Sequence, residues 1–428
     1  MNRSLFLIGL LLVLSFTMCN GSRPANESPY PDGLVSSSDG FPLFNPFKIA
    51  IDPMERLLLV NIENDPDSVY IGFEPQVFDD PVNGQGMLVI AWRVDGRVDV
   101  FHQPSLSLDP EKYDIAGKGL AHMAEREMKE AFFHVDEKGV QALVEFEDLL
   151  GREVHVSISE GNPRKRKPFG LLAPMGDAAE NPSAMPLVLL HDFYFVRQKH
   201  TEISVRIDQK EHHIHKLPMP IDRTKMYFTR YSPTPFIVTL NPAIDGLIML
   251  LSAEPGRDVM DLPAGTGQEA SHGDSPGRLP AGNYGRMPAG TTGSIGLSWD
   301  GPVAGIAYVK QSDGKHEITL AFDPPFPNLE ALPDGANVSG KFVVQGHPTT
   351  GKITGDYLVM KTGQRLHLEM IPSGGWIPNE RKLSVRIIYR MAKLFREWPK
   401  TYRWTAAVEI HDDGQAHMRS GWERIRND

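Results

Sequence analysis

Apolar residues in this chain recur mostly at every second position, and Asp-Gly pairs punctuate the runs. A two-residue repeat is the signature of a half-buried strand, because successive side chains point to opposite faces of a sheet. Val140, Ala142, Val144 and Phe146 form one such stripe, with Gln141, Glu145 and Glu147 on the other face. After Asp148-Leu149-Leu150-Gly151, Val154, Val156 and Ile158 alternate with Glu153, His155, Ser157 and Ser159, which reads as the second arm of a hairpin. Asp-Gly occurs eight times, at Asp32, Asp39, Asp95, Asp245, Asp300, Asp313, Asp334 and Asp413. Gly86–Trp92 and Val98–Phe101 flank one of these pairs and predict a two-residue type I′ hairpin at Asp95-Gly96. The 39 glycines and 35 prolines, about 17% of 428 residues, favour many turns over long helices. The expected class is all-β and mainly antiparallel.

The segment from Glu254 to Gly290 breaks the alternation. Leu262-Pro263-Ala264-Gly265, Leu279-Pro280-Ala281-Gly282 and Met287-Pro288-Ala289-Gly290 are near-repeats with few large apolar groups. Such a stretch gains too little from burial to offset the cost of ordering its backbone. It predicts two antiparallel β-domains, 41–253 and 293–428, joined by a Gly/Pro-rich linker or insertion over 254–292. Each is a barrel or a sandwich, and tandem lipocalin-like barrels fit the count of hairpin-linked strands. In the second half, Ile295–Trp299 and Ala304–Tyr308 flank Asp300-Gly301, and Ile353–Met360 faces Leu366–Met370 across a turn. Gly119–Lys129 has the spacing of a short amphipathic helix, and Leu383–Phe395 reads as strand in its first half.

Met1-Asn2-Arg3 precedes an apolar run from Leu5 to Phe16, too short to span a bilayer comfortably. Cys19 follows, the only cysteine in the chain. This start resembles a bacterial lipoprotein signal, although Phe16 and Met18 replace the usual aliphatic and small residues. The resemblance implies an export signal over 1–19, lipid attachment at Cys19, and a tether over 20–40 that holds the body at the cell envelope. One cysteine leaves the fold without a disulfide, so burial must hold it together. The formal net charge of −10 argues against nucleic acid as a partner.

Met185 to Leu240 packs apolar, aromatic and histidine residues most densely, and holds five of the 15 histidines. It reads as the central hairpin of the first domain. His191-Asp192 interrupts an otherwise apolar strand, Leu187–Val196, and polar residues there are either satisfied by a partner or set up for acid/base chemistry. His213 and His215 share a face if extended, and with His191 would make a three-nitrogen metal site. An exposed tip after the turn Asp208–Glu211 is the simpler account, since no HExxH or facial-triad spacing accompanies them. Arg164–Lys167 is a basic run between Pro163 and Pro168 that would meet an anionic surface if it is more than a solvated loop. The apolar stretch Gly170–Met175 after it reads as a lid or a buried crossing.

Trp376, Trp398, Tyr402 and Trp404 could stack on sugar rings, or close the bottom of a barrel. Gly346–Lys352 begins like a P-loop but has Ile353 where the magnesium-binding hydroxyl belongs. No nucleophile elbow of the G-x-S-x-G type appears, and no motif calls for a cofactor. The leading expectation is a non-enzymatic, envelope-anchored β-protein that binds a small hydrophobic or saccharide ligand. The alternatives are an acid/base enzyme of hydratase, isomerase or lyase type using His191 and Asp192, and a structural or assembly factor of the envelope.

Overall fold

A computed structural model describes residues 41–51, 54–80, 83–110, 119–174, 185–221, 223–262, 291–346, 348–379 and 398–425, with Pro29 and Arg386. The architecture is all-β. In chain order, β1 (Phe41–Asn45), β2 (Ile49–Ile51), β3 (Met54–Asn61), β4 (Tyr70–Asp80), β5 (Gly84–Arg93), β6 (Val98–His102) and β7 (Leu120–Glu125) come first. Next are β8 (Glu130–Val135), β9 (Val140–Glu147) and β10 (Glu153–Glu160), then β11 (Phe169–Pro174) and β12 (Met185–Arg197). β13 (Thr201–Ile207), β14 (Lys210–Glu211), β15 (Met226–Ser232) and β16 (Phe236–Leu240) follow. One ten-stranded sheet runs β2-β16-β12-β15-β3-β4-β5-β6-β7, with β11 paired to β12, and a five-stranded sheet runs β14-β13-β10-β9-β8.

The remaining strands, all but β18, form a meander. They are β17 (Ile244–Leu247), β18 (Met249–Ala253), β19 (Val259–Leu262), β20 (Thr292–Asp300), β21 (Val303–Ser312) and β22 (Glu317–Phe326). β23 (Asn337–Gln345), β24 (Lys352–Thr362), β25 (Arg365–Ile377), β26 (Tyr402–Ile410) and β27 (Ala416–Arg424) complete it. β19 to β27 pair in sequence order, β17 adds to the far edge beside β27, and the result is an open, half-barrel sheet of ten strands. β18 pairs instead with β1. Strands on both sides of the Gly/Pro-rich segment therefore belong to the meander, and residues 263–290 of that segment lie outside the described residues.

The turns account for much of this order. Gly96, Gly301, Gly314, Gly335 and Gly414 all take positive φ, which glycine adopts without a Cβ penalty. The β5–β6 hairpin is not the two-residue type I′ turn the sequence predicts. Gly96 N–H donates to Arg93 O and Arg93 N–H to Arg97 O, and in this turn only Gly96 has positive φ. A type I′ turn needs positive φ at Asp95 as well, so this is a three-residue loop closed by a glycine.

Long-range packing decides several further expectations. Leu120–Glu125 is not a helix but β7, which pairs parallel with β6. Its Leu120 and Met123 pack on Leu88, Ile90, Val98 and Val100, a gain that outweighs a weak helical spacing. Of the two readings of Gly170–Met175, the lid fails: Gly170–Pro174 is a strand paired with β12 as far as Pro174↔Leu187, with Gly170 and Leu171 buried, while Met175 lies outside the described residues. Within Met185–Leu240, β13 and β14 form a short hairpin across Asp208-Gln209, β12 pairs antiparallel with β15 and β16, and β13 leaves that sheet to pair with β10 in the other one. The chain turns that corner at His200, where φ is 59°. Arg386 is helical, against the strand reading of Leu383–Phe395, whose other residues are outside the described set.

β12 joins two cores. Its Leu187, Leu189 and Phe193 pack with the meander's Ile318, Leu320 and Trp404, while its Val196 packs with Val144, Phe146 and Val156 of the five-stranded sheet. Phe47 lies 4.8 Å from both Phe322 and Phe326, so the N-terminal strands also reach into the meander. Gly170 allows a still closer approach, for a Cβ there would come 1.8 Å from the Thr349 carbonyl oxygen.

At the end of β12, Arg197 meets Glu160 of β10 with both side chains buried. Arg197 Nε donates to Glu160 Oε1 at 2.6 Å, and Arg197 Nη2 donates to Lys138 O at 2.6 Å and Asn162 O at 3.3 Å. The other carboxylate oxygen accepts from Val140 N at 3.3 Å and from the Tyr231 hydroxyl at 3.4 Å. A buried charge left without its partner costs about 3–5 kcal/mol, so Arg197→Met is expected to destabilise the protein by about that amount in urea unfolding. The double variant Arg197→Met/Glu160→Leu should lose less than the two single variants added together. Simple additivity would show that the pair is not a coupled unit.

Candidate functional site

Two constellations sit on opposite halves of β12. The first is a cleft of about 80 Å³ lined by Arg164, Lys165, Arg166, Lys167, Phe169, Tyr194, Phe195, Arg197, Thr224 and Met226. The basic run leaves β10 between two prolines and is pinned at its start. Asn162 Nδ2 donates to Lys199 O at 3.0 Å, and Asn162 Oδ1 accepts from Arg164 N at 3.1 Å. The Arg166 guanidinium lies 4.8 Å from the Tyr194 ring centroid and 5.7 Å from that of Tyr231. It donates to the Tyr231 hydroxyl and to Asp136 O. Arg197, committed to Glu160 and backbone carbonyls, belongs to the supporting structure rather than to the reach of a ligand.

Lys165 and Lys167 are exposed at the rim. The opposite wall is aromatic, with Phe195 in edge contact with Phe193 at 5.3 Å and with Phe169 at 6.0 Å. No carboxylate lines the cleft among the described residues, in a chain whose formal net charge is −10. Burial, then the nearby Asp192 carboxylate, push the Tyr194 hydroxyl above its ordinary value, so it stays a neutral donor and acceptor.

The second constellation is the seam where the first sheet meets the meander. His191 Nε2 lies 2.9 Å from His316 Nε2, with ring centroids 4.2 Å apart. The side chains of His191 and His316 are 15% and 12% exposed, so they meet largely out of water. Asp313 Oδ2 accepts from His316 Nδ1 at 3.2 Å, which leaves the His316 Nε2 lone pair facing His191. Thr234 Oγ1 lies 3.3 Å from both His191 Nε2 and Asp192 Oδ2. Asp313 sits below the ordinary carboxylate value. Burial works against that, and the backbone N–H groups of His316 and Lys315 outweigh it.

Other expected sites disperse. His213 is exposed and bonds Asp65 Oδ2 through Nδ1 at 2.8 Å, while His215 stacks edge-on against Phe228 at 5.9 Å. Neither joins His191, because residues 212–215 leave the strand before the expected shared face can form. His212 is not at an exposed tip but buried, its Nδ1 2.9 Å from Asp65 O. Trp376, Tyr402 and Trp404 are core residues, each at most 2% exposed, and offer no face to a sugar ring. Trp376 Nε1 is spent on Thr350 O at 2.8 Å. Cys19 and the Trp398 side chain lie outside what is described.

Sequence reading missed Glu74 and Arg230, which lie in β4 and β15 of the first sheet. Glu74 is 8% exposed and accepts from Gln76 Nε2 at 2.8 Å and Trp92 Nε1 at 3.2 Å. Burial raises its carboxyl above the ordinary value, and these donors only partly offset it. Arg230 stacks on Phe228 with its guanidinium 4.6 Å from the ring centroid, and loss of water lowers it to about 10. Neither has a sequence signature, since each is one charge in an alternating strand.

Comparison with protein-family models, curated proteins and solved structures found no match. No helix among the described residues is long and apolar enough to cross a membrane.

Because the folded state holds the Glu74 proton more tightly than the unfolded state, wild-type stability is drained as pH rises from about 4.5 toward the raised value. The difference in unfolding free energy between Glu74→Gln and wild type should therefore move in the variant's favour between about pH 4 and about pH 7. Urea titrations across that range measure it. A constant difference would mean Glu74 titrates normally.

Proposed function

We propose that this protein is a non-enzymatic binding protein of the cell envelope, tethered through Cys19, and that the cleft beside β12 takes a small amphiphilic anion. The observation that carries this reading is the pairing of the Arg164–Lys167 run with the aromatic wall of Phe169, Tyr194 and Phe195. The aromatic wall takes the apolar body of the ligand and the lysine rim its acidic group. Arg166, already over the Tyr194 ring and hydrogen-bonded, pre-positions the loop so that little ordering entropy is lost on binding. The expectation of a hydrophobic ligand survives in this form, with an acidic group added to it. The saccharide reading loses most of its platform, because Trp376, Tyr402 and Trp404 are buried. Acid/base chemistry at His191 is disfavoured by the 2.9 Å contact that occupies its Nε2.

Titration calorimetry with octanoate and phenyl phosphate, against octanol and phenol, tests this. The anions are expected to bind and their neutral counterparts to bind at least about tenfold more weakly, a difference of about 1.4 kcal/mol. Lys165→Glu/Lys167→Glu, two surface changes, should abolish the preference, and binding should weaken as ionic strength rises past about 0.1 M. Equal affinity for octanoate and octanol would overturn the reading.

A further inference from the structure

We propose, resting on the cleft reading above, that the ligand carries a second acidic group and is an α,ω-dicarboxylate, its far carboxylate held by Arg230. The aromatic wall of the cleft does not end at Phe195. Phe195 of β12 stands directly opposite Arg230 of β15 in the antiparallel register. Opposed residues emerge on one face of a sheet, a strand spacing of about 4.8 Å apart. Phe228, two residues before Arg230, shares that face by alternation, and its ring centroid is 6.3 Å from that of Phe195. The Arg230 guanidinium lies over the Phe228 ring, 4.6 Å from its centroid. Ring surface that begins in the cleft therefore leads to a cation.

That cation forms no ion pair among the described residues. Arg230 Nη1 donates to two neutral acceptors, Asn61 Oδ1 at 2.9 Å and Phe228 O at 3.2 Å. Glu74 and Glu63 act on it only through space. The Glu63 carboxylate accepts from Asn61 Nδ2 at 2.8 Å, and the two Glu74 oxygens are engaged by Gln76 and Trp92. Burial favours the neutral form of Glu74, which weakens it further as a counter-charge. A guanidinium offers five N–H donors in a planar fork that matches the two oxygens of a carboxylate, and here Nη1 alone is spent. Ser232, two residues on and on the same face, adds a fully buried hydroxyl that has no hydrogen-bond partner. A partly dry cation flanked by unspent donors is completed by an anion. A single-headed acid can answer the lysine rim or Arg230, whereas a dicarboxylate answers both, with its apolar middle on the rings of Phe195 and Phe228.

The test is calorimetry of the full chain with suberate against octanoate, acids of equal length that differ only in the second carboxylate. Suberate is expected to bind at least about tenfold more tightly. Arg230→Met, which removes the charge, should bring suberate to within about twofold of octanoate. Arg230→Lys keeps the charge but not the fork, and should retain part of the gain. His213→Gln, away from the cleft, should retain all of it. In case Arg230→Met does not fold, the Arg230 Nε–H resonance of the unmodified chain serves, since saturating suberate should shift it and octanoate should not. Suberate binding no tighter than octanoate, a gain that survives Arg230→Met, or an Nε–H signal that ignores suberate would each sink the second acidic group, while the cleft reading stands or falls separately on octanoate against octanol. Octanoate no better than octanol would take down the cleft reading and this one with it.

Discussion

The buried pair of Glu160 and Arg197 is the constraint on which the rest of this structure hangs. Two strands that belong to different sheets end there, and a single guanidinium satisfies a carboxylate and carbonyls from the β8–β9 and β10–β11 connections. In a low-dielectric interior such a network is stable only when every member is satisfied. Its demands fix where β12 stops, how the β10–β11 loop is strung, and where Tyr231 points. The cleft is the outer surface of the same network. Arg166 reaches the hydroxyl of Tyr231, which itself donates to Glu160. Ligand and core are one shell apart.

β12 then transmits this arrangement over its 13 residues. Its C-terminal end presents Tyr194, Phe195 and Arg197 to the cleft, and its middle presents His191 and Asp192 to the seam. Its N-terminal end packs into the meander core through Leu187 and Leu189. A strand buried on both faces is a poor place for polar residues unless other elements complete them. Here Thr234, Asp313 and His316 do so, from two separate parts of the chain. The polar interruption in the sequence marks the line along which the two halves of the molecule meet.

Much of the fold was legible because it is local. Alternation gave β9, β10, β20, β21, β24 and β25, and Asp-Gly pairs marked five glycines that do adopt positive φ. What escaped was nonlocal. β7 pairs parallel with β6 after a long crossing, which no short-range spacing announces. β17 and β19 join the meander from the far side of a division that composition suggests. For the sites, His191 and Asp192 stood out because they break a pattern, and Arg164–Lys167 because it is a run. His316, Asp313 and Thr234 are ordinary turn and loop residues until the fold sets them beside β12. Trp376, Tyr402 and Trp404 misled because an aromatic cluster looks alike in sequence whether it faces water or the core.

The central claim is that the surface of the Glu160–Arg197 network is the place where ligand binds. Hydrogen exchange of the full chain with and without saturating octanoate tests it most directly, since exchange reports local opening residue by residue. Slowed exchange confined to residues 164–169, 193–197 and 224–226 is the expected result. Protection confined to the meander, or none anywhere at saturation, would contradict it.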